Sequence, residues 1–252
     1  MEGLPGHPVQ RPRRRAGDRP AGHRPLLSQP RRLVLLRHGR TADNHGGRIQ
    51  GQLDTPLDEV GRAQAEAAAQ VLAALPPAVL LSSDLSRARD TAAALATAAG
   101  LPAVLDRRLR ELHLGTWEGL SSPEARERHP EEHAAWRRGL DVRRGGGETH
   151  REAGDRAVAC LAEHLPVVPP GGTLVAVTHG GTAKAAVGVL LELPSASWGR
   201  LIALGNARWS VLVESDLGWR LERHNTGLTA VGGELARGPG ESSSGPAGHR
   251  PL

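Results

Sequence analysis

The chain has 252 residues, a formal net charge of +5, one cysteine, and neither phenylalanine nor tyrosine. That length suits one α/β domain or two small ones, with roughly 70% of the unfolded surface hidden on folding. A lone Cys160 excludes an intrachain disulfide and fits a reducing, cytoplasmic setting. No apolar run reaches the length of a membrane span, and no apolar segment of a secretory signal follows the Arg-rich start.

Residues 1–30 carry six Arg against Glu2 and Asp18, so most of the net charge lies there. Rich in Arg, Pro and Gly and without periodicity, they read as a disordered basic tail. Such a tail could touch nucleic acid or an anionic membrane, but a solvated extension is the simpler reading, and neither partner is expected. PAGHRPL occurs at 20–26 and again at 246–252, without a functional reading. Leu33–Leu36 is a continuous apolar run, a strand buried on both faces of a mostly parallel sheet. It ends in Arg37-His38-Gly39. Arg40–Pro56 reads as a polar, Gly-rich loop. A helix follows, with Asp58 as N-cap, to about Leu75, where Pro76-Pro77 stops it. Ala78–Leu81 is a second buried strand, and Ser82-Ser83-Asp84 opens a helix over Leu85–Ala99 that Gly100 ends.

Ala103–Leu105 is a weak strand. Arg107–Gly119 is an edge segment carrying Glu111 and Trp117, and residues 121–140 form one or two short polar helices. Arg143–Gly147 is a mobile, solvated Arg/Gly connection. A helix over Glu148–Leu165 stops at Pro166. Leu174–Val177 then repeats the first strand and ends in Thr178-His179-Gly180. A helix spans about Thr182–Leu191. Leu201–Leu204, Trp209–Glu214 and Trp219–Arg223 alternate like antiparallel strands. From Gly227 the chain reads as a disordered Gly/Ser/Pro-rich tail. This alternation of strands and helices argues an α/β fold with helices on both faces of the sheet.

Ligands of such sheets bind beyond the carboxyl ends of the strands. If the two His-Gly strands are neighbours, His38 and His179 stand side by side there. Arg37, Arg40 and Arg87 on the same rim suit an anion, because guanidinium forks grip phosphate oxygens. Glu111 could supply a proton to a leaving oxygen. His45, His113, His129, His133, His150 and His164 read as solvated. His129 and His133 have the i, i+4 spacing of a zinc pair, but Pro130 interrupts it.

The ordered set Arg37-His38-Gly39-x-Thr41 with Asn44, Gln50-Gly51, Asp54-x-Pro56-Leu57, Ser82-Ser83-Asp84-Leu85-x-Arg87-Ala88, Leu109-x-Glu111, Gly115-x-Trp117-Glu118-Gly119, Gly147-Glu148 and Thr178-His179-Gly180 resembles the histidine phosphatase (phosphoglycerate mutase-like) superfamily over about residues 32–224. The resemblance implies a three-layer α/β/α sandwich with a mostly parallel central sheet over residues 31–226. It also implies a cofactor-free, metal-independent phosphatase. His38 would be the nucleophile, and Arg37, Arg87 and His179 would surround the phosphoryl oxygens. Asn44 would add a hydrogen bond, the Gly180 backbone would help orient the oxyanion, and Glu111 would serve as acid and base. Arg40, Gln50 and Gly51 are expected substrate contacts.

Arg40 departs from the family's usual Glu or Gln and adds charge to the mouth. Only the 67 residues 112–178 separate Glu111 from His179. That is shorter than in the family's mutases, and a more open pocket favours water as phosphoryl acceptor. Gly51-Gln52-Leu53-Asp54-Thr55, the Trp198 segment and Gly205-Asn206-Ala207-x-Trp209 resemble a narrower branch acting on glucosyl-3-phosphoglycerate. The expected substrate is therefore a small phosphorylated sugar or glycerate. A homodimer is left open. The alternatives are a phosphoglycerate mutase and a phosphatase of α-ribazole phosphate or fructose 2,6-bisphosphate.

Overall fold

The structure is a computed structural model that describes residues 29–228. The expected tails, and both copies of PAGHRPL, lie in residues 1–28 and 229–252, outside the described residues. In chain order the elements are β1 (Arg32–Arg37), α1 (Ala42–His45), α2 (Glu59–Ala73), β2 (Pro77–Ser82), α3 (Ser86–Ala99) and β3 (Ala103–Leu105). Then come α4 (Ser122–Arg128), α5 (Pro130–Arg137), α6 (His150–His164), β4 (Thr173–Thr178), α7 (Gly180–Leu190), β5 (Trp209–Ser215) and β6 (Gly218–Thr226).

The strands form one six-stranded sheet in the order β3-β2-β4-β1-β5-β6. The pairs β3–β2, β2–β4 and β4–β1 are parallel, whereas β5 and β6 close the far edge as antiparallel strands. With helices on both faces, this is the expected three-layer sandwich. The period of two along each strand divides the core. Leu33 and Leu35 of β1, with Leu174 and Ala176 of β4, meet Ala157, Cys160 and Leu161 of α6 and Ala183, Ala186 and Val187 of α7. Val34, Leu36, Val175 and Val177 meet Ala68, Ala69 and Leu72 of α2 and Ala88, Ala92 and Leu95 of α3 on the other side. Without Phe or Tyr, the helices approach the sheet through alanines. Burial pushes the Cys160 thiol up to about 12, which makes it an inert core residue.

Asp58 caps α2, accepting from the Gly61 N–H at 2.7 Å, and Gly100 ends α3 in the left-handed region, φ +64°. The expected helix at Glu148 starts at His150 instead. Thr149 forms a capping box with Glu152 there, so the cap lies one residue later.

Other expectations are corrected. The Arg40–Pro56 loop contains the short helix α1, which Thr41 and Asn44 cap reciprocally. Leu201–Leu204 is irregular rather than a strand, because its backbone serves a side chain: the Leu204 carbonyl accepts from Arg37 Nη1. Arg144 is not solvated but 9% exposed, its guanidinium 5.5 Å from the centre of the Trp136 ring. His133 is buried and stacked on Trp117. Trp117 is fully buried in a satellite core with Leu112, Leu114 and Leu120.

Candidate active site

The register of β1 on β4 pairs Leu36 with Val177 and Arg37 with Thr178. His38 and His179 are therefore the next residues off two neighbouring parallel strands. The His38 N–H donates to the Thr178 carbonyl at 3.0 Å, and the two imidazole centres are 5.1 Å apart. Gly39 then bends away where a side chain would not fit: a Cβ there would lie 2.2 Å from the Gly61 carbonyl oxygen of α2.

His38 is 3% exposed, and its Nδ1 lies 2.7 Å from the Gly39 carbonyl oxygen. A carbonyl only accepts, so Nδ1 carries the proton and Nε2 holds the lone pair. Burial, then the charges of Arg37 and Arg87, push the His38 pKa well below the ordinary value, so the ring is neutral. His179 is fully buried, and burial first, then Arg87, with His38 and Arg37 after it, also depress its pKa. Its Nε2 meets the Ser83 hydroxyl at 2.9 Å, and its Nδ1 has no hydrogen-bond partner among the described residues. Ser83 sits one residue beyond β2, placed by its N–H on the Val177 carbonyl.

Arg87, 1% exposed, lies on the first turn of α3. Its guanidinium donates to the carbonyls of Leu53 at 2.6 Å and Gly51 at 2.8 Å, which fixes its aim. Gly51 thus serves Arg87 through its backbone, and it is confined to glycine by φ +51° and by Glu118, 2.2 Å from where a Cβ would stand. Asn44 Oδ1 accepts from the Thr41 N–H and from Asn206 Nδ2 at 2.9 Å, leaving its own amide group to donate. Gln50 is buried and donates to the Thr41 hydroxyl. Arg40 does not stand free on the rim: its Nε donates to Asp58 at 2.8 Å. Gly180 opens α7, where a Cβ would be 3.5 Å from the Arg37 guanidinium.

Glu111 is held against the start of α7. Its carboxylate accepts from the N–H groups of Gly181 at 3.0 Å, Thr182 at 2.9 Å and Leu112 at 3.0 Å, and from the Thr182 hydroxyl. Burial favours the neutral acid, but these backbone donors and Arg87 outweigh it and hold the pKa below the usual glutamate value. The protein's own groups therefore keep Glu111 ionised.

Three residues that sequence reasoning left without a role complete the frame. Ser83 orients His179. Asn206 Nδ2 also reaches the His38 and Gly39 carbonyls at 3.3 Å. Arg156 of α6 donates to the carbonyls of Arg108, Arg110 and Glu111 and pairs with Glu148, pinning the segment that carries Glu111. Ser83 and Asn206 stood inside motifs; nothing local distinguished Arg156 from the other helical arginines. Among the described residues no cluster of three His, Cys, Asp or Glu side chains is arranged around a metal position, and no helix is long and apolar enough to cross a membrane.

A sequence profile of the histidine phosphatase superfamily (branch 1) matches residues 33–227. The chain belongs to the histidine phosphatase superfamily. This superfamily member is 41% identical over 212 residues to the glucosyl-3-phosphoglycerate phosphatase of Mycolicibacterium vanbaalenii, covering 77% of this chain and 94% of that one. It is 36% identical over 201 residues to a metal-independent phosphoserine phosphatase of Arabidopsis thaliana, covering 77% of this chain and 81% of the relative. A solved mycobacterial glucosyl-3-phosphoglycerate phosphatase in complex with VO3 superposes with a TM-score of 0.73 at 44% identity, over 78% of this chain and 99% of that one. The expected class, a phosphoric monoester hydrolase, stands on this membership.

Proposed function

We propose that this histidine phosphatase hydrolyses small phosphomonoesters through a phosphohistidine at His38, with glucosyl-3-phosphoglycerate as the favoured substrate. The observation that carries the reading is the pair of neutral imidazoles with centres 5.1 Å apart, beside the guanidinium groups of Arg37 and Arg87.

The His38 Nε2 lone pair attacks phosphorus as the bond to the ester oxygen breaks. Arg37, Arg87, His179 Nδ1–H and the Asn44 amide take the spread charge on the phosphoryl oxygens, already in place before it develops. Glu111 acquires a proton as the substrate's charge raises its pKa, the substrate arriving as a monoanion that brings the proton with it. Glu111 passes the proton to the leaving oxygen. Water then attacks the phosphohistidine, gives a proton to Glu111, and releases phosphate and a neutral His38.

The test is twofold. Acid-quenched enzyme turned over with phosphorus-labelled substrate traps label on wild type and none on His38→Ala, whose turnover is abolished; label retained on that variant overturns the nucleophile. Phosphate release is then compared across glucosyl-3-phosphoglycerate, phosphoserine, α-ribazole phosphate, fructose 2,6-bisphosphate and 3-phosphoglycerate. Conversion of 3- to 2-phosphoglycerate in the presence of a bisphosphate primer, faster than phosphate release, would instead assign a mutase.

A further inference from the structure

A cavity of about 520 Å3, lined by the end of α5, Lys184 of α7 and residues between Ser195 and Ala203, is used by none of the chemistry above. Its size is that of a small-molecule site. Trp136 of α5 and Trp198 supply ring walls, and the backbone has been shaped for the second: a Cβ on Gly188 would lie 2.4 Å from the Trp198 ring. Arg137, Asp141, His150, Lys184 and Ser195 supply the polar lining.

Lys184 is the only lysine of the chain. It is half-buried on α7, and among the described residues it makes neither a hydrogen bond nor an ion pair. Asp141 acts on it through space without pairing with it, because that carboxylate accepts from the N–H groups of His150 at 2.7 Å and Arg151 at 3.0 Å at the start of α6. Behind Trp136, the buried Arg144 adds a second positive charge, and its Nε has no partner. Burial lowers the pKa of both cations, a cost that a bound anion would relieve.

The lining also selects the kind of anion. A dianion would meet the Asp141 carboxylate, which stands 3.3 Å from His150 Nδ1. Lys184 and the exposed Arg137, set against the Asp141 carboxylate, leave the lining one net positive charge, which suits a single negative charge. Hydroxyl and imidazole groups beside indole faces suit a chain of C–H and O–H groups. We infer that this cavity binds a hydroxylated monocarboxylate of sugar-acid size, its carboxylate on the Lys184 ammonium and its carbon chain against Trp136 and Trp198. Such an acid group could be part of the phosphorylated substrate or a free sugar acid. The site itself does not rest on the proposed reaction.

The test reads binding without turnover. Titration of the full chain with gluconate, followed by tryptophan fluorescence, is expected to give a saturable change that glucose does not give. Lys184→Met is expected to weaken gluconate at least tenfold, while Lys184→Arg, which keeps the charge, retains it. Absent gluconate binding in wild type, or equal binding by Lys184→Met with an unchanged melting curve, overturns the proposal. A kinetic arm assigns the source. If Lys184→Met raises KM about tenfold for a carboxylated phosphomonoester but not for p-nitrophenyl phosphate, and gluconate competes with the former, the cavity holds part of the substrate. Gluconate binding that leaves both KM values unchanged supports the same site for a free acid.

Discussion

Replacing Ser83 by Ala should impair catalysis without touching a substrate-binding atom. The Ser83 hydroxyl meets His179 Nε2 at 2.9 Å in a fully buried setting. For His179 Nδ1 to donate to a phosphoryl oxygen, the neutral ring must carry its proton there, so Nε2 must accept from Ser83. Deleting the hydroxyl leaves a buried acceptor without a partner, at a cost of about 1–3 kcal/mol. The ring escapes part of that cost by moving its proton to Nε2, which removes the donor from the phosphoryl side. If the whole cost falls on the transition state, kcat/KM drops by about fivefold to about 150-fold. The assay is steady-state hydrolysis of p-nitrophenyl phosphate, with nitrogen-resolved NMR of the imidazole beside it. Wild type should show Nδ1-protonated His179, and Ser83→Ala a mixture with the Nε2-protonated form. An unchanged tautomer together with unchanged kcat/KM would refute the reasoning; a lowered melting temperature alone would not rescue it.

Glu111→Gln should slow alkyl phosphates by about 10²–10⁴-fold and aryl phosphates with good leaving groups much less; equal slowing across a leaving-group series counts against Glu111 as the acid. Stability should fall on acidification. His38 and His179 have depressed pKa values and His150 is lowered to about 4, burial leading in each case. The unfolded chain therefore takes up protons first, and the stability these rings contribute is present above about pH 6.5 and lost as pH falls toward 4. Urea melts at stepped pH check this, and a flat profile between those values would contradict it. Exhaustive chelation should leave phosphatase activity intact; activity lost and then restored by an added metal would overturn the metal-free reading.

The site's frame was legible because its parts lie at strand ends. The four-residue apolar run before Arg37-His38 and its copy before His179 required burial on both faces, and that placed both rings at one edge of the sheet. Asp58 and Gly100 marked helix ends through local chemistry that needs no tertiary context. What was not legible depends on distant partners. Arg144 reads as solvated in a Gly-rich run, and only the fold brings Trp136 beneath it. Leu201–Leu204 has the alternation of a strand, yet the Leu204 carbonyl is turned to Arg37. Arg156 is one helical arginine among several until three carbonyls of a remote segment converge on it. The depressed pKa of Glu111 could not be read from sequence either, since it comes from the start of a helix 70 residues further along.

The contact between Gly39 and Gly61 binds two parts of the chain to a common fate. A methyl group at position 61, on α2, would stand 1.9 Å from the Arg40 carbonyl oxygen. Relief would have to come from the turn that carries His38. A laboratory selection that randomised only α2 would therefore find position 61 as intolerant as a position of the His38 turn, and a ranking of residues by distance from His38 would misjudge it.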